Sequence, residues 1–98
     1  MNPSASIVCF IVPTYNEAEN ITPLLRQLLG LFATVPWQGR VVVVDDASPD
    51  GTGELVNQIA AQDPRVRLLS GTRRGLGNAY TRGFNYVLAQ RQADVIVQ

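Results

Sequence analysis

A chain of 98 residues, 46% hydrophobic and 16% charged, with a formal net charge of zero, makes one small domain at most, since domains typically run to about 100–150 residues. The apolar fraction excludes a disordered tail, and runs as short as Ile7–Pro13 and Val41–Val44 are no membrane span, which needs about 20 apolar residues. Charge balance argues against a nucleic-acid binder, no signal peptide is expected, and the single cysteine, Cys9, has no disulfide partner.

Ile7–Val12 is a continuous apolar run stopped by Pro13, the pattern of a strand buried on both faces. Cys9 inside it reads as a small buried hydrophobe. Ile21, Leu24, Leu25, Leu28, Leu29 and Phe32 recur at helical spacing. Two starts fit this helix: Thr22 with Pro23, as cap and first residue, or Asn16 with Glu19, as a capping box. Arg40–Val44 is a second β-branched strand ended by Asp45. Ser48 and Pro49 suit the start of a second helix with Leu55, Val56, Ile59 and Ala60 facing inward, closed by Pro64. Val66–Leu69 is a third strand. Gly75 and Gly77 open a third helix whose stripe is Leu76, Ala79, Tyr80, Gly83, Phe84, Val87 and Leu88, and Asp94–Val97 begins a fourth strand.

This alternation predicts an α/β fold: a Rossmann-like, three-layer α/β/α arrangement around a mainly parallel sheet. Right-handed crossovers place strands two and three successively to one side of strand one. With strand four on the other side the order is 3-2-1-4, and the crevice at the switch point is where such sheets bind ligands. The residues to weigh are therefore those at the carboxyl ends of the strands.

After strand one stands Pro13-Thr14-Tyr15-Asn16-Glu17. Tyr15 can stack on a base or pack locally; Glu17 can accept from ribose hydroxyls or favour a helix N-terminus. After strand two come Asp45 and Asp46, which alternation sends to opposite faces. One is expected to reach a ligand and the other to bond backbone amides in the loop; Val44 shares a face with Asp46. Asp50 reads as a charge near a helix N-terminus. After strand three, Arg73 and Arg74 precede a glycine-opened helix, where guanidinium forks suit phosphate oxygens or are simply solvated. The chain contains neither lysine nor histidine, so no histidine base, triad or zinc site can be built from it. Its charges are segregated: residues 1–63 hold seven carboxylates with Arg26 and Arg40, and residues 64–98 hold six arginines with Asp94.

Taken together, these segments resemble the family 2 glycosyltransferases of GT-A fold. Pro13-Thr14-Tyr15-Asn16-Glu17-Ala18-Glu19-Asn20-Ile21 is similar to the family's opening motif, and Val43-Val44-Asp45-Asp46-Ala47-Ser48-Pro49-Asp50-Gly51-Thr52 to its second. The Ser-Pro-Asp-Gly-Thr version, with Gly75-Leu76-Gly77-Asn78-Ala79-Tyr80 and Gly83, resembles the dolichol-phosphate (polyprenol-phosphate) mannose synthase branch. The resemblance implies a nucleotide-sugar site with Pro13, Tyr15 and Glu17 at base and ribose, Val44 and Asp46 on the nucleoside, and Arg73 or Arg74 reaching base or diphosphate. Ala47 stands where relatives usually have glycine, so a left-handed backbone there would be mildly strained.

The same resemblance implies that residues 1–98 are the N-terminal nucleotide-binding half of the GT-A domain, ending before the Asp-x-Asp motif. The fragment is then expected to hold no metal and to be inactive alone, with Mg2+ or Mn2+ acting in the full-length parent. The parent is expected to transfer mannose from GDP-mannose to a polyprenyl phosphate at the cytoplasmic face of a membrane, the fragment itself being cytoplasmic. A UDP-glucose-using relative is the alternative donor reading. A receiver-like signalling module is the non-catalytic alternative, but its paired aspartates should follow strand one. An NAD-binding domain lacks its glycines after strand one. Strand four would be an exposed edge, which predicts homo-oligomers through it.

Overall fold

The structure, a computed structural model, describes residues 6–71, 76–90 and 93–97. Four strands alternate with three helices: β1 (Ile7–Thr14), α1 (Ile21–Phe32), β2 (Gln38–Asp45), α2 (Thr52–Gln62), β3 (Val66–Ser70), α3 (Leu76–Gln90) and β4 (Val95–Val97). All pairings are parallel, in the order β3-β2-β1-β4, with β2 and β3 to one side of β1 as the crossover argument requires and β4 on the other.

The run Val41–Val44 shows why a strand buried on both faces carries no alternation. Val41 and Val43 face α1 and α2, in a core with Ile21, Leu25, Phe32, Val56 and Val66. Val42 and Val44 face α3, in a second core with Cys9, Ile11, Ala79 and Val87. None of the four is more than 3% exposed, so each contributes on the order of 1.5–3 kcal/mol of burial. Cys9 belongs to the second core, and burial pushes its thiol up to about 11. It is a packing residue, as expected.

Two helix starts and one buried face differ from the sequence reading. Helix α1 begins at Ile21 with Asn20 at the cap and no side-chain cap bond. Neither predicted start forms, because the Asn20 and Ile21 amides both donate to the Glu17 carbonyl, at 3.0 and 2.8 Å. A backbone turn thus satisfies the amides that a cap would have served. Pro23 falls at the third helical position, where an N–H has no intrahelical acceptor. Helix α2 begins at Thr52 and not at Ser48–Pro49, because Gly51 is left-handed at φ 90° and the Ser48 and Asp50 side chains are held in the preceding loop. On α3 the buried line is Ala79, Gly83 and Val87, whereas Phe84 and Leu88, expected in the stripe, are 38% and 54% exposed. The small residues, one every fourth position, let the helix lie close to the sheet and turn the bulkier pair to its flank.

Among the described residues strand β4 pairs only with β1, and its Val95 and Val97 stay 48% and 38% exposed. Among the described residues no helix is long and apolar enough to cross a membrane.

Candidate functional site at the carboxyl ends of the strands

The loops after β1 and β2 are locked together by side chains of the second gripping the backbone of the first. The Asn16 amide donates to Ser48 Oγ at 2.9 Å, the Glu17 amide to Thr52 Oγ1 at 3.0 Å and the Ala18 amide to Asp50 Oδ2 at 3.0 Å. Ser48, Asp50 and Thr52 alternate in sequence and serve three consecutive amides. The hydroxyls pass the bonding on. Thr52, fully buried, donates to Asp50 Oδ1 at 2.5 Å, and Ser48 donates to Asp45 Oδ1 at 2.6 Å. Asn16 turns the first loop at φ 56°, a left-handed value that asparagine tolerates.

The adjacent aspartates divide as the alternation predicts. Asp45, 4% exposed, lies on the α1 and α2 side. It accepts the Thr14 hydroxyl at 2.8 Å, the Ser48 hydroxyl, and the Ser48 amide at 3.1 Å. It is the loop organiser. Asp46, 6% exposed, lies on the α3 side and pairs with the guanidinium of Arg82. The sequence reading missed Arg82. Its one signal was position, one residue before Gly83 on a helix already assigned to cross that face.

Of the predicted nucleotide residues, Pro13 and Glu17 share a wall of one cavity of about 240 Å3, with Thr14, Asn20 and Leu24 around them. Glu17 Oε2 accepts from Asn20 Nδ2 at 3.4 Å. Tyr15, between them in sequence, is half-buried and does not line that cavity. Val44 is fully enclosed in the core beneath α3, so its side chain forms a floor and has no free surface. Asp46 reaches the carboxyl end of β2 but is engaged by Arg82. Arg73 and Arg74 lie outside the described residues.

Ala47 has a φ of 55°, the left-handed backbone expected from its place in the motif. That conformation costs an alanine on the order of 1–2 kcal/mol, against about 0.4–1 kcal/mol of extra chain entropy for glycine. Ala47→Gly is therefore expected to stabilise the chain by about 0.5–1 kcal/mol, read as a melting temperature higher by roughly 2–6 °C. A lower melting temperature would refute it.

The Thr52 hydroxyl, with the Ala18 and Thr52 amides, holds the Asp50 carboxyl below the ordinary value of 3.8. A group depressed in the folded state lends stability that is full above its unfolded value and is lost as pH falls through the folded one. Asp50→Asn is expected to flatten the acid limb of the pH–stability profile below pH ~4, measured by urea midpoints. An unchanged limb would mean that other carboxylates, such as Asp63 under the Arg65 guanidinium, carry it.

Among the described residues no three His, Cys, Asp or Glu side chains gather as a metal cage. Asp45 and Asp46 face opposite sides, with both Asp45 oxygens and Asp46 Oδ1 engaged. This set does not fit a hard divalent ion, which needs several converging oxygens.

The sequence model for glycosyl transferase family 2 matches residues 9–97. The chain is 47% identical to the undecaprenyl-phosphate mannosyltransferase of Micrococcus luteus over 93% of its own length and 36% of the relative's. It is 44% identical to the polyprenol monophosphomannose synthase of Mycolicibacterium smegmatis over 90% of its own length and 32% of the relative's. Thus it spans about a third of the length of these curated relatives. Among solved structures it resembles the mannosyltransferase PcManGT from Pyrobaculum calidifontis, in complex with GDP-Man and Mn2+. The TM-score is 0.64 at 33% identity, covering 86% of this chain and 25% of that one. Mannosyl-3-phosphoglycerate synthase from Rubrobacter xylanophilus, at 21% identity and a TM-score of 0.69, shares the fold. These matches displace the receiver-like and NAD-binding alternatives, and the chain belongs to glycosyl transferase family 2.

Proposed function

We propose that the chain is the N-terminal nucleotide-binding part of an enzyme that transfers mannose from GDP-mannose to a polyprenyl phosphate. The observation that carries this reading is the pair of clasped loops, with Pro13 and Glu17 on one cavity, in a chain 47% identical to an undecaprenyl-phosphate mannosyltransferase. The clasp presets the backbone of residues 13–18, so Tyr15 can stack on the base and Glu17 can accept ribose hydroxyls with little ordering cost. Asp46 would meet the nucleoside after Arg82 yields one of its oxygens, and Arg73 or Arg74 would face the diphosphate. On this reading Mg2+ or Mn2+ is held beyond residue 98, the fragment binds nucleotide without transferring sugar, and the parent works at the cytoplasmic face of a membrane, where its lipid acceptor lies. A glucose donor, taken as UDP-glucose, is the second reading; the transfer of glucose is supported by 34% identity to a dolichyl-phosphate beta-glucosyltransferase of Trichomonas vaginalis.

Thermal denaturation with GDP, GDP-mannose, UDP, UDP-glucose and NAD tests it. At a hundredfold its Kd a ligand stabilises by about 2.7 kcal/mol, or about 10 °C or more for a domain of this size. A GDP-selective shift is expected. A UDP-selective shift transfers the reading to the second donor; no shift, or an equal one with NAD, overturns both. The open edge of β4, with Val95 and Val97 exposed, further supports self-association of the isolated chain by strand pairing. Light scattering after size exclusion is expected to give a dimer or larger, and a monomer at high concentration would refute it.

A further inference from the structure

A second cavity, of about 230 Å3, lies at the opposite end of the sheet, over the amino ends of β1, β2 and β3. Its wall carries Arg40, Arg65 and Arg67, with Cys9 and Pro64 beside them, and no carboxylate. The register sets Arg40 next to Cys9 and Arg67 next to Val42. Arg40 and Arg67 therefore stand on one face of neighbouring strands, two positions apart. Like charges so placed destabilise a sheet unless an anion lies between them.

The available carboxylates do not supply that anion. Asp63 is held by Arg65 through Nε at 3.0 Å and a second nitrogen at 2.7 Å. Asp94, at the edge, accepts the Ile7 amide at 2.8 Å. Arg40 bonds the carbonyl of its neighbour Gly39 at 3.1 Å. Arg67 is exposed and has no hydrogen-bond or ion-pair partner among the described residues. Three guanidinium groups thus meet two carboxylates, Asp63 held by Arg65 and Asp94 by the Ile7 amide. Their planar forks match the oxygens of a tetrahedral oxyanion, and the cavity has room for one with water.

We propose that this cavity is an anion site that takes a single phosphate-class group between Arg40 and Arg67. By strand rise it lies about 17 Å along β2 from Asp45, so it is separate from the nucleotide crevice and does not depend on that assignment. Its occupant removes the like-charge conflict and joins β2 to β3 at their amino ends.

Nitrogen-15 NMR of the 98-residue chain, titrated with sodium phosphate against sodium chloride at equal ionic strength, tests the proposal. Saturable shifts at Arg40, Val42 and Arg67 under phosphate alone are expected. Arg67→Gln, at an exposed position, is expected to weaken binding about threefold and the double variant with Arg40→Gln about tenfold, while Arg26→Gln leaves it unchanged. Shifts confined to the carboxyl ends of the strands, equal shifts under chloride, or full affinity in the double variant would overturn it. Sedimentation with phosphatidylglycerol and phosphatidylcholine vesicles separates the sources. Phosphatidylglycerol-selective binding lost in the double variant assigns a lipid headgroup. Phosphate binding without vesicle binding assigns a free phosphate. Both support the site.

Discussion

Asp45→Ala is expected to lower stability by about 3–5 kcal/mol, because a single carboxylate serves the Thr14 hydroxyl and both polar groups of Ser48 inside the fold. A hydrogen bond to a charged group is worth about 1.5–3 kcal/mol, and donors left unsatisfied by truncation cost about 1–3 kcal/mol more. Some of this is recovered where Ser48 turns to water, and the total remains a large part of the ~5–15 kcal/mol a domain of this size possesses. The damage spreads, since Ser48 also holds the Asn16 amide. Urea denaturation measures the loss. Asp45→Asn, which keeps one acceptor oxygen, is expected to cost about half as much. A loss below about 1 kcal/mol for the alanine variant would show that the loop is ordered by other groups.

Gly83 gives the second large effect, and its sign is diagnostic. A Cβ there would lie 2.6 Å from Ile11 Cγ2 and 3.1 Å from Val44 Cγ2, so α3 rests on β1 and β2 only because this side chain is absent. In a free helix Gly→Ala gains about 1 kcal/mol. Here Gly83→Ala is expected to reverse that and destabilise by about 1–2 kcal/mol, and Gly83→Val by about 3 kcal/mol, a melting temperature lower by roughly 10–20 °C. Because Arg82 rides on the same helix, lifting α3 also draws its guanidinium from Asp46. A stabilised Gly83→Ala would mean that α3 does not approach the sheet this closely.

Much of the fold was legible because its signals are local. Strand runs, helical spacing and crossover handedness together predict β3-β2-β1 without any side-chain contact, and placing β4 on the other side of β1 completes the order. The division between Asp45 and Asp46 followed from strand alternation alone. What stayed hidden depends on partners distant in sequence. Nothing near Ser48, Asp50 and Thr52 announces that their acceptors serve amides 32 to 35 residues earlier, so Ser48 and Pro49 read as a helix start and Asp50 as a helix charge. Arg82 was hidden for the same reason, its partner being 36 residues away. Val44 shows a further limit: sharing a face with Asp46 was readable, but that α3 would seal that face so closely was not. Phe84 and Leu88 kept helical spacing with the buried line, yet the phase of α3 was set by Ala79 and Gly83.

The clasp between the loops also bears on how such a site can diversify. The side chains of Ser48, Thr52 and Asp50 hold the first loop by main-chain N–H groups, at Asn16, Glu17 and Ala18. Every residue except proline presents the same N–H. The Glu17 side chain can therefore be exchanged to suit another base or sugar without breaking the clasp that holds its amide, whereas Ser48, Asp50 and Thr52 cannot. One short segment is free to explore ligands because its neighbour carries the architectural constraint.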